Sequence, residues 1–507
     1  MKGLAVQICK ETIEQIKALK TVEVGPLAEM PEKVLQFGEG NFLRAFVDWI
    51  FNALNARANF NGKVVIVQPL AEGLVDLLNQ QDGLFTVLLR GIENGQVVKK
   101  AEIVTAVSRG LNPYSNWNEF LQCAHNPDLR FVLSNTTEAG IAYVKTQQPE
   151  GVCPAPFPPK LAALLYERFK AFDGAADKGL VIIPCELIDR NGDRLKECIL
   201  QHASDWQLDP EFSRWLERHN HFLNTLVDRI VPGYPRDEIA DITKELGYED
   251  KLVDTGEIFH LWVIEGDERF AEELPFHRAG LNVIWTDNLK RYRDRKVRIL
   301  NGAHTMTVPA AFLAGINTVK ESVEDDLIGR YMRNGIFEEI LPTLELSQTE
   351  KEEFAEAVLE RFQNPFIKHR LLDISLNSVS KFKVRVLPSL LAFTSANKRL
   401  PEILSFSLAA LMVFYRGREF DGKQMFGVRG EEKYVIRDDE SYLNFFFDLW
   451  QAFEQNKDFA TLTRQVLKND EFWGRDLNEI PGLSAVVCRH VETILAKGMA
   501  GALNDLL

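Results

Sequence analysis

No C-x-x-C pair joins any of the six cysteines, Cys9, Cys123, Cys153, Cys185, Cys198 and Cys488. A disulfide framework or a zinc knuckle is therefore disfavoured, and buried thiols in a reducing compartment are expected. Long apolar runs are missing too. The longest, near Leu404–Tyr415, is too short to span a bilayer and reads as a buried helix. The opening MKGLAVQICKETIEQIK has a short apolar stretch broken by Lys10 and Glu11 and no cleavage site. No export signal is read from it, and a cytoplasmic protein with no membrane partner is expected. Cationic excess is absent as well: the formal net charge is -14, from 59 Lys and Arg against 73 Asp and Glu. Phosphate neutralisation needs a basic surface, so nucleic acid is excluded as the main partner, although one local basic pocket is not. There is no internal repeat and no low-complexity tract.

What is present is a chain of 507 residues, 46% apolar and 26% charged, the balance of an ordinary globular protein with two or three domains. Short apolar runs at Lys33–Phe37, Lys63–Val67, Arg130–Leu133, Gly179–Pro184 and Leu281–Trp285 read as buried strands. Helix-like segments lie between them. After the first strand, Phe42, Phe46, Trp49, Ile50 and Leu54 recur at helical steps. This alternation predicts a parallel sheet with helices on both faces. From about Tyr292 helical patterns take over, at Glu321–Leu341, Gln348–Phe362 and Pro401–Tyr415, and no strand is predicted there. The fold class is thus an α/β Rossmann-type N-terminal domain, residues 1–288, followed by a mainly α-helical domain, residues 289–507, with a ligand site expected in the cleft between them.

The first strand runs into FGEGNFLRAF, where Gly38 and Gly40 form G-x-G and Asn41 stands ready to cap the next helix. Such a turn lets a pyrophosphate approach the backbone at a helix N-terminus. Leu43 replaces the third glycine of the full fingerprint, so a plain strand–helix turn competes with a dinucleotide site. The second strand ends in Val67-Gln68-Pro69 instead of the usual ribose-binding acid; Glu72 follows, and no Arg is near. The choice between NAD and NADP stays open on these residues.

The stretch RDRKVRILNGAHT carries Lys296, Asn301 and His304. At about 100° per residue they fall at roughly 0°, 140° and 80°, one broad helix face. A lysine that exchanges a proton with an alcohol must be neutral when it accepts one, which burial and cationic neighbours favour. An asparagine can donate to a developing oxyanion, and a histidine can orient a neighbouring hydroxyl. His219 and His221 form H-x-H, but without nearby carboxylate or cysteine spacing they read as two exposed histidines.

KVRILNGAHT resembles the K-x4-N-x2-H signature of the polyol-specific long-chain dehydrogenases, the mannitol dehydrogenase family. The resemblance implies Lys296 as general acid/base, Asn301 in an oxyanion site, His304 on substrate, and no metal. FGEGNFLRAF resembles the family's cofactor turn, which gives Gly38, Gly40, Phe42 and Arg44 cofactor roles. SNTTEAGI resembles the segment beside the nicotinamide, which adds Thr137, Glu138 and Gly140. Asp228 in LVDRI matches a stretch near the cofactor, with a structural ion pair to Arg229 as the competing reading. In PCELIDRNGDRLK, where many members have an asparagine straight after the acid, this chain has Leu187; Asn191 is left as the second oxyanion candidate.

LVDRIVPGYPRDE, NPFIKH and AKGM resemble the hexuronate branch of the family. That implies NAD-dependent reduction of tagaturonate to altronate, with fructuronate reduction or polyol 2-dehydrogenation as alternatives and a non-catalytic dinucleotide sensor as the reading from another class. A sugar acid needs a cationic anchor. Lys381 matches a substrate lysine of the family, and Arg385, Arg236, Lys368, His369 and Tyr234 are further candidates. The oligomeric state, monomer or dimer, is left open.

Overall fold

Two units make up the chain, one ending at Leu289 and one spanning Lys290–Leu507. The computed structural model describes residues 6–137 and 139–507. The first unit is built on six parallel strands, β1 (Glu32–Phe37), β2 (Lys63–Val67), β3 (Val107–Leu111), β4 (Phe131–Ser134), β5 (Val181–Pro184) and β6 (His221–Phe222). They lie in the order β6-β5-β4-β1-β2-β3. This is the doubly wound order, which reverses between β1 and β4. Open α/β sheets take their ligands outside the carboxyl ends of the strands at that reversal.

Alternate residues of each strand serve two different cores, which is why the strands read as unbroken apolar runs. Val34, Val64, Ile66, Leu133 and Ile183 pack with Phe46, Ile50 and Leu54 of the helix after β1. Leu35, Phe37, Val65, Val67, Val132 and Ile182 pack with Leu161, Leu165, Leu195 and Ile199 on the other face.

Four of the five predicted strands fall in this sheet. The fifth, at Val283–Thr286, belongs to a separate three-stranded sheet with Asn224–Asp228 and Leu261–Glu265. Strand β3 was not predicted, because Ser108 and Arg109 interrupt its apolar run. The hairpin Phe85–Glu93/Gln96–Val104 was also missed, although Asn94 and Gly95, at φ 54° and 73°, are the residues a two-residue turn requires.

The second unit is mainly helical, and its helix Glu402–Phe414 is buried at every position from Ile403 to Phe414. The expected helix at Glu321–Leu341 is interrupted at Asp325, whose carboxylate caps the amides of Leu327 and Ile328. The expectation of no strands here is corrected by an antiparallel meander, Glu419–Phe420, Met425–Arg429 and Glu432–Ile436. Strands of two to five residues, separated by turns at Gly422 and Gly430, both at positive φ, are too short to leave a periodic pattern. All six cysteines are free thiols. Among the described residues no helix is long and apolar enough to cross a membrane.

Candidate active site

Gly38 follows β1 at φ 126°, a conformation closed to most side chains, and a Cβ there would lie 2.8 Å from Leu43 Cδ1. Gly40 is the N-cap of the helix that follows, and a Cβ on it would meet nothing within 4 Å. Asn41, expected as the cap, is the first helical residue instead, and its Oδ1 accepts from the Arg44 guanidinium at 2.7 Å. No side chain makes a capping hydrogen bond to this helix, so no side-chain acceptor competes there with an anion.

The helix then passes through a π-turn, Arg44–Asp48, before resuming at Trp49–Arg57. Arg44 was expected to touch cofactor. It is 2% exposed and turned into the fold, where it donates to Glu39 O at 3.1 Å and to Leu252 O and lies 3.6 Å from Asp254. Gln36 Nε2 donates to Gly38 O at 3.0 Å and to Asp48 at 3.3 Å. A trans peptide sets each C=O opposite the following N–H. Holding the Glu39 carbonyl inward therefore turns the Gly40 amide outward, while the Glu39 amide is met by its own carboxylate. Arg44 shapes the turn rather than meeting a ligand. Phe42 is half-buried and stacks on Phe46, centroids 5.0 Å apart. Such a turn fits a dinucleotide pyrophosphate.

Beyond β4, Thr137 takes φ 99°, unusual for a β-branched residue. Gly140 N–H donates to Thr137 O, and a Cβ at Gly140 would come 2.0 Å from Thr136 Oγ1. Glu138 lies outside the described residues. This segment is held by Glu186, which accepts from Ser134 Oγ, Thr136 N and Thr136 Oγ1, each at 3.0 Å. Burial raises the Glu186 carboxyl above its ordinary value, against these hydrogen bonds. The sequence reading passed over Glu186; an acid closing the apolar run of β5 was the available signal.

Asn191 is corrected in the same way as Arg44. It is fully buried, and its amide donates to Pro184 O, Glu186 O and Thr225 while Oδ1 accepts from Gly192 and Thr225. It has no N–H left for a substrate oxygen. Asp228 is buried at the end of its strand. Arg229 donates to the carbonyls of Ala45, Ile258 and Phe259 and lies over Trp49, a structural clasp whose charge burial opposes, pushing its pKa down to about 9. Arg236 and Tyr234 are exposed on the loop that follows. His219 and His221 are half-buried rather than exposed, and His221 packs on Phe270. Among the described residues no group of three or more His, Cys, Asp or Glu is placed to hold a metal ion.

In the helical unit, Lys296–Asn301 is itself a π-turn, running into helix Gly302–Leu313, with Gly302 N–H donating to Val297 O five residues back. An α-helix would set Lys296 and Asn301 about 140° apart. A turn closed by i→i+5 bonds brings residues five apart onto one face, as i and i+4 meet in an α-helix. Both side chains are half-buried.

His304 is 7% exposed, with its ring centroid 4.2 Å from that of Phe362 and 5.2 Å from that of His369. Burial, and then the positive field of His369, Arg385, Arg361 and Lys381, hold it well below the usual imidazole range, so it is neutral at pH 7. Lys381 Nζ donates to Ile374 O at 2.8 Å, and burial and Arg385 push its ammonium down while Asp438 opposes them. Arg385 reaches Thr305 Oγ1 at 3.5 Å. Its backbone O would lie 3.3 Å from a Cβ on Gly302, a close approach that a glycine eases. Lys368 is exposed. Arg361 was missed, yet it continues the Phe354–Val358 stripe of helix Gln348–Phe362 at a three-residue step and so was readable as a charge on a buried face.

Two family descriptions cover the chain, the mannitol dehydrogenase Rossmann domain over residues 32–278 and the mannitol dehydrogenase C-terminal domain over residues 288–495. An altronate oxidoreductase of Pectobacterium carotovorum is 47% identical over 482 residues, 94% of this chain and 98% of the relative. One of Escherichia coli is 47% identical over 486 residues, 95% and 98% of the two chains. Among solved structures, a D-sorbitol dehydrogenase in substrate-free form shares 21% identity with TM-score 0.79 over 98% of this chain and 100% of its own. Pseudomonas fluorescens mannitol 2-dehydrogenase, in ternary complex with NAD and D-mannitol, shares 21% identity with TM-score 0.69 over 99% of both chains. The chain belongs to the mannitol dehydrogenase family.

Proposed function

We propose that this protein is an NAD-dependent hexuronate reductase of the cytoplasm that interconverts tagaturonate and altronate. The observation that carries the reading is the 47% identity to altronate oxidoreductases over nearly the whole of both chains. The cationic surroundings of His304 support it, because a sugar acid needs what a neutral polyol does not: a positive anchor for its carboxylate. Lys381, Arg385 and Arg361 supply that anchor, and exposed Arg236 is a weaker candidate.

The glycine turn Gly38–Gly40, Phe42, Thr137, Gly140 and Asp228 hold the dinucleotide. When bound, it gives hydride to the ketone carbon or takes it from the alcohol carbon. Lys296, as its ammonium, delivers the proton to the oxygen of the carbon being reduced, and as its amine removes that proton in the reverse direction. The Asn301 carboxamide N–H stabilises the negative charge that grows on the same oxygen. Neutral His304 shares a hydrogen bond with an adjacent hydroxyl and fixes the sugar's orientation.

The test is NADH absorbance with tagaturonate, fructuronate and fructose in parallel. Tagaturonate is expected to give the highest kcat/KM. Lys381→Ala is expected to raise the KM for tagaturonate about 10-fold or more, the cost of losing one charge-assisted hydrogen bond, and to change that for fructose much less. A preference for fructuronate refutes the substrate assignment, and equal effects of Lys381→Ala on both substrates remove it as the anchor.

A further inference from the structure

The ribose of a dinucleotide is ordinarily met by an acid at the end of the second strand. Here that strand ends Val67-Gln68-Pro69, and the Gln68 amide is occupied within its own turn. Its Nε2 donates to Leu70 O and Ala71 O, and its Oε1 accepts from Val75 N. Another carboxylate reaches this corner from the neighbouring strand. β1 and β2 run side by side with Phe37 opposite Val67, so the residue between the two glycines, Glu39, lies next to the turn that follows β2.

Glu39 is 9% exposed, and its Oε2 has no hydrogen-bond partner. The amides of Glu39 itself and of Leu74 face the carboxylate. Its Oε1 lies 2.2 Å from where a Cβ on Gly73 would stand, and the Gln68 carboxamide carbon lies 2.5 Å from the same point. Glu39, Gln68 and Gly73 thus meet at one corner, and glycine at 73 makes room for the acid. Residues 70–74 above it are exposed, and this turn must yield for a ribose to enter.

The charges around the corner favour a diol over a phosphate. The Lys160 ammonium lies beneath Pro69, but its donors are engaged by Pro69 O, Tyr114 Oη and Ala155 O at 2.7–3.0 Å. Arg44 is turned toward Asp254. Glu72 is exposed at the surface, where solvent screens its charge.

We infer that Glu39 selects NAD(H) over NADP(H), its unpartnered oxygen accepting a hydrogen bond from the adenosine ribose diol and its charge repelling a 2′-phosphate. The inference rests on the dinucleotide reading above and adds the residue that decides between the two cofactors. A carboxylate can accept from both ribose hydroxyls, whereas a phosphate on one of them brings like charge into a site with little water.

Fluorescence titration of the full chain with NADH and with NADPH tests this directly. The wild type is expected to bind NADH at least 10-fold tighter than NADPH. Glu39→Gln should shrink that preference at least 10-fold, and Glu72→Gln should leave the preference unchanged. An unaltered preference in Glu39→Gln, or its collapse in Glu72→Gln, overturns the inference. If circular dichroism shows Glu39→Gln to be unfolded, the wild type decides by itself: a loss of less than threefold on passing from NADH to its 2′-deoxy analogue overturns the assignment, and a larger loss supports it. Tight binding of neither nucleotide by the wild type refutes the dinucleotide reading itself, an outcome distinct from binding without discrimination.

Discussion

Lys296 and Asn301 stand at the two ends of one π-turn, and the groups that make them useful come from elsewhere in the helical unit. A general acid/base contributes about 10²–10⁴-fold to a proton transfer, so Lys296→Ala is expected to lower kcat by that factor while NADH still binds with near wild-type affinity. Wild-type turnover in the variant would end the assignment; loss of NADH binding along with turnover would show instead a disturbed fold. The linear motif K-x4-N-x2-H was readable because its residues are close in sequence. The positive surroundings of His304 were only partly readable, because Arg361, His369, Lys381 and Arg385 arrive from separate segments. Arg44 and Asn191 show the opposite error. Both sit in stretches that match ligand motifs, yet in a tight turn a buried polar side chain commonly satisfies backbone carbonyls, and these two do so.

At the scale of elements, four of the six strands of the parallel sheet were legible as buried apolar runs, whereas the order in which they lie was not. The π-turns at Arg44–Asp48 and Lys296–Asn301 were not legible, since periodicity assumes 3.6 residues per turn and has no signal for one extra residue. The turn at Arg44–Asp48 has a measurable consequence. It places Asp48 in the same buried group as Gln36, Arg44 and Asp254, where one guanidinium serves two carboxylates.

Burial pushes both acids up to about 7, against 3.8 in water; Asp254 raises Asp48 further, and Asp250 raises Asp254. A carboxyl with a raised native value binds its proton more tightly folded than unfolded. Its contribution to stability is therefore complete below pH 4 and is lost as pH rises toward 7. The loss has a slope of about 1.4 kcal/mol per pH unit for one such group. Asp48→Asn removes one of the two acids. Calorimetric unfolding temperatures measured from pH 5 to 8 should fall less steeply in this variant than in the wild type, with the two curves furthest apart at the alkaline end. Parallel curves would show that Asp48 does not titrate in this window.

For the whole molecule, a formal charge of -14 sets the far field, while the cations around His304 set the near one. The two differ in sign and in how salt affects them. Repulsion of an anionic sugar acid by distant surface charge acts over the Debye length, about 30 Å at 0.01 M salt and about 10 Å at 0.1 M. The half-buried charges of Lys381 and Arg385 are screened far less. Salt should thus remove the repulsion first and leave the anchor in place. At saturating NADH, kcat/KM for tagaturonate is expected to rise about two- to threefold between 10 and 100 mM potassium chloride, whereas that for a neutral ketose such as fructose stays nearly constant. The composition alone argued only against polyanionic partners; the sign of this salt effect depends on a local cluster that no composition reveals. A monotonic fall for tagaturonate over the same range would mean that the basic cluster's field extends well beyond its pocket and outweighs the rest of the surface.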